Sequence, residues 1–260
     1  MSHKKLIIID LVFLIFQPVM AALLSILLRT NYLGTILLFY AIPSLYLTFR
    51  TSHKALRCFL FAIIAGVPMA LLFDWFATVD GNWAITQTVF PFRLFNVITL
   101  ENIPWLVLFA YFIIIFYEHF LDKGKHNLVD RRLKYFVWPL VILLIVFVVW
   151  IYLSPRTLVI PYAYFWLGIM LELLPVITFL SFFPRLLSKY MKVAVDFFAH
   201  SVIYEFTALK LNLWSYTGKN FIGWVDLFSF RFPVEEVFMW FILSSVAIIS
   251  YFEFFDDDRK

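Results

Sequence analysis

Eight apolar runs dominate this chain, and each is long enough, at about 1.5 Å per helical residue, to cross or nearly cross a hydrocarbon core of about 30 Å. They are Leu6–Leu28, Tyr32–Phe49, Cys58–Val79, Val97–Tyr117, Tyr135–Leu153, Leu158–Phe183, Val193–Leu211 and Phe232–Phe252. Only Arg29, Thr30 and Asn31 separate the first two, so a seven-span count stays open. Hydrophobic residues make up 63% of the 260 and charged residues 15%, far from the balance of a soluble domain. Lys4 and Lys5 before the first run resemble the start of a secretory signal, but the run is too long for an h-region and is read as a spanning helix. The expectation is an all-α integral membrane protein.

The basic residues orient it. With alternating sides, fifteen of the 21 Lys and Arg, among them Lys54, Lys123, Arg131, Lys189 and Lys260, fall on one side. Arg29, Arg93, Arg156, Lys210, Lys219 and Arg231 fall on the other. The positive-inside rule then puts both termini in the cytoplasm of a multi-pass protein of the cell membrane (inner or plasma), with the long connections after the third and seventh helices outside. The basic residues lie between apolar runs and not along one face, so no nucleic-acid partner is expected. Membrane lipid is expected as a partner, and a homo-oligomer is compatible with such a bundle.

Residue spacing indicates a duplication. Pro43 and Pro175 lie 132 apart, and Pro18 and Pro139 lie 121 apart. Asp74 precedes Trp83 by nine positions and Glu205 precedes Trp214 by nine, an offset of 131 for both members. Leu100-Glu101-Asn102 and Val234-Glu235-Glu236 follow at an offset of 134. Proline, acid, Trp and acid in one order predict two repeats, 1–127 and 128–260, with four helices each. An even number of spans per repeat makes the copies parallel, related by an axis along the membrane normal, with a cleft between them. The polar bridge from Glu118 to Lys134, which contains Gly124, is the expected boundary.

Ionisable groups inside a bilayer cost several kcal/mol, roughly 2.5–3.5 on insertion scales, and are candidate functional residues by default. Asp74 and Glu205 lie toward the outer ends of their helices, and Glu101, Glu235 and Glu236 open the following ones, so the five carboxyls are expected at one depth. Burial and mutual proximity favour keeping one of them protonated as a Brønsted acid while another takes a proton. First-turn carboxylates also suit a helix dipole, Asp74 and Glu205 also suit interhelical bonding, and Trp83 and Trp214 also suit interfacial anchoring. Glu172 is a further cleft candidate, with Tyr40 at its place in the first half. Asp196 and His200, one turn apart, are expected to form a structural pair. The aromatic share of 21% suits a bundle lined by flat rings, for an elongated apolar ligand, or plain lipid-facing packing.

Other chemistries are excluded or weak. Cys58 is the only cysteine, so no intrachain disulfide or Cys-x-x-Cys pair forms. The seven glycines make no phosphate loop or dinucleotide fingerprint, and no cofactor is expected. No His-Glu-x-x-His occurs, His119 with His126 is a weak metal signal, and no metal site is expected. A prenyltransferase would need aspartate clusters for Mg²⁺, whereas Asp256-Asp257-Asp258 reads as a solvated tail.

Phe232-Pro233-Val234-Glu235-Glu236-Val237-Phe238-Met239-Trp240 resembles the Pro-x-Glu-Glu motif with following aromatics of the membrane-integral lycopene cyclases, the heterodimeric and fused bacterial, archaeal and fungal type. Glu205 with Trp214 is similar to that family's acid-then-Trp spacing, and Asp74, Trp83 and Glu101 resemble it in the first half. Thr99-Leu100-Glu101-Asn102 departs from the motif, lacking a proline and one carboxyl, and Glu205 stands where an aspartate is usual. The resemblance implies a carotenoid-biosynthesis isomerase, an intramolecular lyase that cyclises a lycopene end to a β-ionone ring without redox change. It implies Glu235 and Glu236 as acid and base, with Glu101, Asp74 and Glu205 supporting. Trp83, Trp214, Asn102, Phe238 and Glu172 would then line an apolar polyene. The alternatives are a carrier or binding protein for an apolar polyprenoid or lipid, or a divergent isoprenoid isomerase or hydratase.

Overall fold

The computed structural model describes residues 3–122, 133–154 and 159–255. Gly124, His126, Lys123, Lys125, Arg131, Arg132, Arg156, Arg259, Lys260 and Asp256 to Asp258 lie outside the described residues. The expected repeat boundary falls largely there as well.

Eight helices account for most of the described chain. They are α1 (His3–Leu28), α2 (Tyr32–Arg50), α3 (Ser52–Val79), α4 (Asn102–Asp122), α5 (Leu133–Leu153), α6 (Ala163–Phe182), α7 (Leu187–Lys210) and α8. The last is wide-turned over Glu236–Leu243 and α-helical over Ser244–Phe255. Six of them, α1 to α4, α6 and α8, are long and apolar enough to cross a membrane. The sequence suggests eight. In α5 the apolar stretch is Val141–Leu153, and α7 carries Lys189, Lys192, Asp196 and Glu205.

The prolines shape two helices in the same way. Pro43 and Pro175 each follow a single π turn, Leu37–Ala41 in α2 and Ile169–Leu173 in α6. A proline has no N–H and its ring presses on the carbonyl four residues back, so a widened turn relieves the helix without breaking it.

The fold is not purely helical. Three antiparallel pairs cap one end: β1 (Trp83–Ile85) with β4 (Trp214–Tyr216), β2 (Arg93–Leu94) with β3 (Ile98–Thr99), and β5 (Trp224–Leu227) with β6 (Phe230–Pro233). The fourth and eighth apolar runs therefore begin as hairpin strands, and their helices start at Asn102 and Glu236. Both hairpins turn through two residues of positive φ, Phe95 and Asn96 in one, Phe228 and Ser229 in the other. Such turns match the twist of paired strands.

The ends of α3 and α7 match in atomic detail. Gly81 (φ 67°) and Asn212 (φ 52°) occupy the left-handed position just past each helix. Asn82 N–H donates to Ala77 O at 2.7 Å and Leu213 N–H to Ala208 O at 2.9 Å, the closing bond of a Schellman motif. Each strand of the β1–β4 pair leaves such a cap. Beyond them Thr86 N–H donates to Leu213 O at 2.9 Å and Thr217 N–H to Asn82 O at 3.1 Å.

Helix α4 is the centre of the bundle. Every residue from Phe109 to Tyr117 is buried, so it is apolar all round instead of striped. By contrast Ile8, Phe16 and Leu27 on α1, Leu143 and Tyr152 on α5, and Phe182 on α6 are exposed, as suits lipid-facing surfaces. At the end away from the strands, buried Lys54 bonds Glu118 and lies 3.3 Å from Asp122. Asp10, also buried, accepts from Arg50 at 3.0 Å and meets His119 at 2.9 Å. These pairs answer the need to compensate charge wherever water is absent.

Helices α3 and α4 touch closely at Gly66, where a Cβ would stand 3.2 Å from the Cα of Val107. Gly66→Leu should push them apart, costing about 1–3 kcal/mol. The expected readout is a lower melting temperature in detergent, together with maleimide labelling of Cys58, which is fully buried in the wild type.

Candidate active site

The site is built where the strand pairs close over the helix ends. Asp74, in the last turns of α3, is buried and accepts three hydrogen bonds: Trp83 Nε1–H and Thr78 Oγ1–H at 3.3 Å, and Thr99 N–H at 2.6 Å. Glu205 holds the same place in α7 and accepts from Trp214 Nε1–H at 3.1 Å and Tyr216 O–H at 3.0 Å. The nine-residue acid-to-Trp spacing is thus a direct carboxyl–indole bond in both halves.

A second matched layer joins the opposite ends. Tyr32, at the start of α2, donates its hydroxyl to Asn102 Oδ1 at 2.5 Å. Tyr164, at the start of α6, donates to Glu236 Oε1 at 2.6 Å. Asn102 and Glu236 are equivalent first-turn positions, so the acid of the second half stands where the first has an amide.

Glu101 and Glu235 behave differently from Glu236. Glu101 Oε1 accepts from Val89 N–H at 2.5 Å and Phe90 N–H at 3.0 Å. Glu235 Oε1 accepts from Ile222 N–H at 2.7 Å. Both are fully buried clamps on the loops that follow β1 and β4, and neither lines the internal cavities described next.

Three adjoining cavities lie among the helices. One of about 10 Å³, room for about one water, is bordered by Glu205, Glu236, Tyr216, Trp83 and Trp214. A second, also about 10 Å³, is bordered by Asp74, Asn102 and Tyr164. Trp83, Trp105 and Trp240 line both. A third, about 60 Å³, contains Glu172 in an otherwise nearly apolar wall and shares Phe73, Leu106 and Trp240 with the second. Trp240 therefore borders all three, held by stacking on Trp105 at 4.7 Å and on Phe109 at 4.9 Å between ring centroids. Among the described residues, no lysine or arginine lines any of them.

The expected residues are thus divided. Glu205, Glu236, Trp83 and Trp214 meet in one cavity, Asp74 and Asn102 face the next, and Glu172 faces the third. Glu101 and Glu235 serve the loops instead, and Phe238 is 55% exposed and borders none of the three. His200 is buried against the rings of Phe39, Tyr40 and Phe112, and among the described residues its Nε2 has no hydrogen-bond partner. Sequence reasoning missed Tyr32, Tyr164, Tyr216 and Trp105. The 132-residue separation of Tyr32 and Tyr164 was the available signal for two of them.

Tyr216 occupies a pivotal place. Its single hydroxyl proton goes to Glu205, and it also interacts with Glu236. Burial, then the carboxyls of Glu205 and Glu236, push its phenol well above the usual range. It therefore stays a donor throughout the physiological pH range and couples the two acids.

Comparison with family models, curated proteins and solved structures found no match for the chain.

The loop clamps make a separable prediction. Glu101→Leu leaves two amide N–H groups without their acceptor and should cost about 2 kcal/mol, read as a lower melting temperature in detergent. Glu101→Gln, whose amide oxygen still accepts, should recover most of the loss.

Proposed function

We propose that the chain is an acid-catalysed, non-redox cyclase of an isoprenoid polyene, with a linear carotene such as lycopene as its substrate. In this reading two parallel four-helix copies sit in the cell membrane as eight spans with both termini cytoplasmic. The observation that carries it is the meeting of two carboxyls, Glu205 and Glu236, on one small cavity walled by Trp83, Trp214, Trp105 and Trp240 and lined by no basic residue.

The chemistry needs little else. Two carboxyls facing one dry space hold a proton between them at less cost than two charges. That proton adds to the terminal double bond of the polyene and leaves a tertiary carbocation, which the neighbouring double bond attacks to close a six-membered ring. The other carboxyl removes a ring proton, so one proton enters, one leaves, and the electron count is unchanged. Indole faces stabilise the travelling positive charge, the same interaction that binds cations over aromatic rings. Tyr216 keeps the two acids in step, and Tyr164 orients Glu236.

This assignment moves the acid–base pair from Glu235 and Glu236 to Glu205 and Glu236, because Glu235 borders none of the three cavities and holds the Ile222 amide. The near-absence of polar lining in the third cavity also suits a carrier for an apolar lipid, the competing reading.

Expression in lycopene-accumulating cells separates them. A monocyclic or bicyclic carotene on chromatography is the expected outcome, and its absence from a well-expressed chain refutes cyclisation. Glu205→Gln and Glu236→Gln should each lower product about 10²-fold or more, within the range of lost acid–base catalysis. Glu235→Gln should lower it less than about tenfold, since its amide oxygen still accepts from the loop.

A further inference from the structure

The two halves match in frame but not in filling. Residues Phe197, His200 and Tyr204 of α7 correspond, at the 131 offset, to Gly66, Met69 and Phe73 of α3. In the first set the rings close on Tyr40, with Tyr204 at 4.9 Å, His200 at 5.3 Å and Phe109 at 5.6 Å between centroids. Around Gly66, Met69 and Phe73 there is instead the cavity of about 60 Å³, and the residue equivalent to Tyr40 is Glu172. The glycine lets α4 pack close, with Val107 Cα 3.2 Å from where a Cβ would stand, and an acid in place of Tyr40 puts a carboxyl on the cavity.

Glu172 is 5% exposed and lies in the π turn of α6, its Oε2 without a hydrogen-bond partner. The other polar groups nearby are committed: Tyr251 O–H donates to Leu171 O at 2.9 Å and Ser244 Oγ–H to Trp240 O at 2.5 Å. A buried carboxyl oxygen with no partner among the described residues is a standing cost, which a ligand able to give a hydrogen bond would remove. A cation would have to be stripped of water in a cavity with no other polar help, so a neutral hydroxyl is the better complement.

We propose that this cavity is a binding pocket for the hydroxyl-bearing end of an isoprenoid, with Glu172 as its hydrogen-bond partner and the apolar chain running past Trp240 toward the Glu205–Glu236 cavity. The inference names a ligand class for the path of the proposed cyclase and rests on the three cavities forming that one path. It also implies that one end of a substrate carries oxygen while the other meets the acids.

The test compares all-trans-retinol with axerophtene, the same polyene without the hydroxyl, by energy transfer from tryptophan to the purified full chain in detergent. Retinol should bind about tenfold or more tightly than axerophtene. Glu172→Leu should bind the two equally, and Glu172→Gln should keep most of the preference. On the wild type alone, retinol and not axerophtene should shift a carboxyl C=O stretch in the infrared difference spectrum, and that shift should vanish in Glu172→Gln. Equal affinities in the wild type, no binding of either probe, or a preference that survives Glu172→Leu each overturn the pocket. If Glu172→Leu cannot be purified, the wild-type comparison and the infrared shift decide. Ring formation from lycopene with no retinol preference sinks this inference alone, and a retinol preference without ring formation sinks cyclisation alone.

Discussion

Two carboxyl groups inside an apolar bundle must be given donors, and the way this chain supplies them dictates its architecture at the strand-bearing end. Asp74 and Glu205 each bond the indole nine residues onward, so the backbone must reverse within a few residues of each helix end. The left-handed caps at Gly81 and Asn212 make that reversal, and the outgoing strands meet as β1 and β4, with Ala84 opposite Ser215 at their centre. An unsatisfied acid at this depth would cost more than the turn does. The helix ends, the central strand pair and the walls of the acid cavity therefore follow from one requirement.

That requirement was legible in the sequence because it is local. An acid and a Trp nine apart are joined by one turn of chain, and the repeated spacing marks both pairs in the sequence. Pro43 and Pro175 were legible for the same reason, since each acts on its own helix. The starts of α4 and α8 were not: Val97, Ile98, Phe230 and Phe232 look like spanning residues by composition, and only the pairing partner makes them strands. Nor could sequence tell that Glu235 turns to a loop amide while Glu236 turns inward, because two adjacent helical positions differ by about 100° and the choice depends on where the 217–223 loop lies. Asp10, paired with Arg50 and His119, drew no notice because its partners are 40 and 109 residues away.

The departures from the motif make physical sense as compensations. Thr99 stands where the second half has Pro233, and its N–H is one of the donors to Asp74. A proline has none to give. The longer Glu205 finds its second donor elsewhere, in Tyr216, whose counterpart in the first half is Ile85. Aspartate with a threonine amide and glutamate with a tyrosine hydroxyl are two solutions to the same satisfaction problem. They are not interchangeable in consequence, because only the second leaves a tyrosine hydroxyl between two acids.

This asymmetry places the cavity-bordering carboxyls unevenly between the two halves. In the first half Asp74 accepts three bonds, Asn102 takes the place of an acid, and Tyr40 stands at the position of Glu172. The second half keeps two carboxyls on one cavity and a third on a larger one, with Trp240 bordering both. Every polar group buried in an apolar bundle must be satisfied, and a group committed to structure has no bond left for a ligand. A carboxyl oxygen without a partner among the described residues, as Glu172 Oε2 is, keeps that capacity.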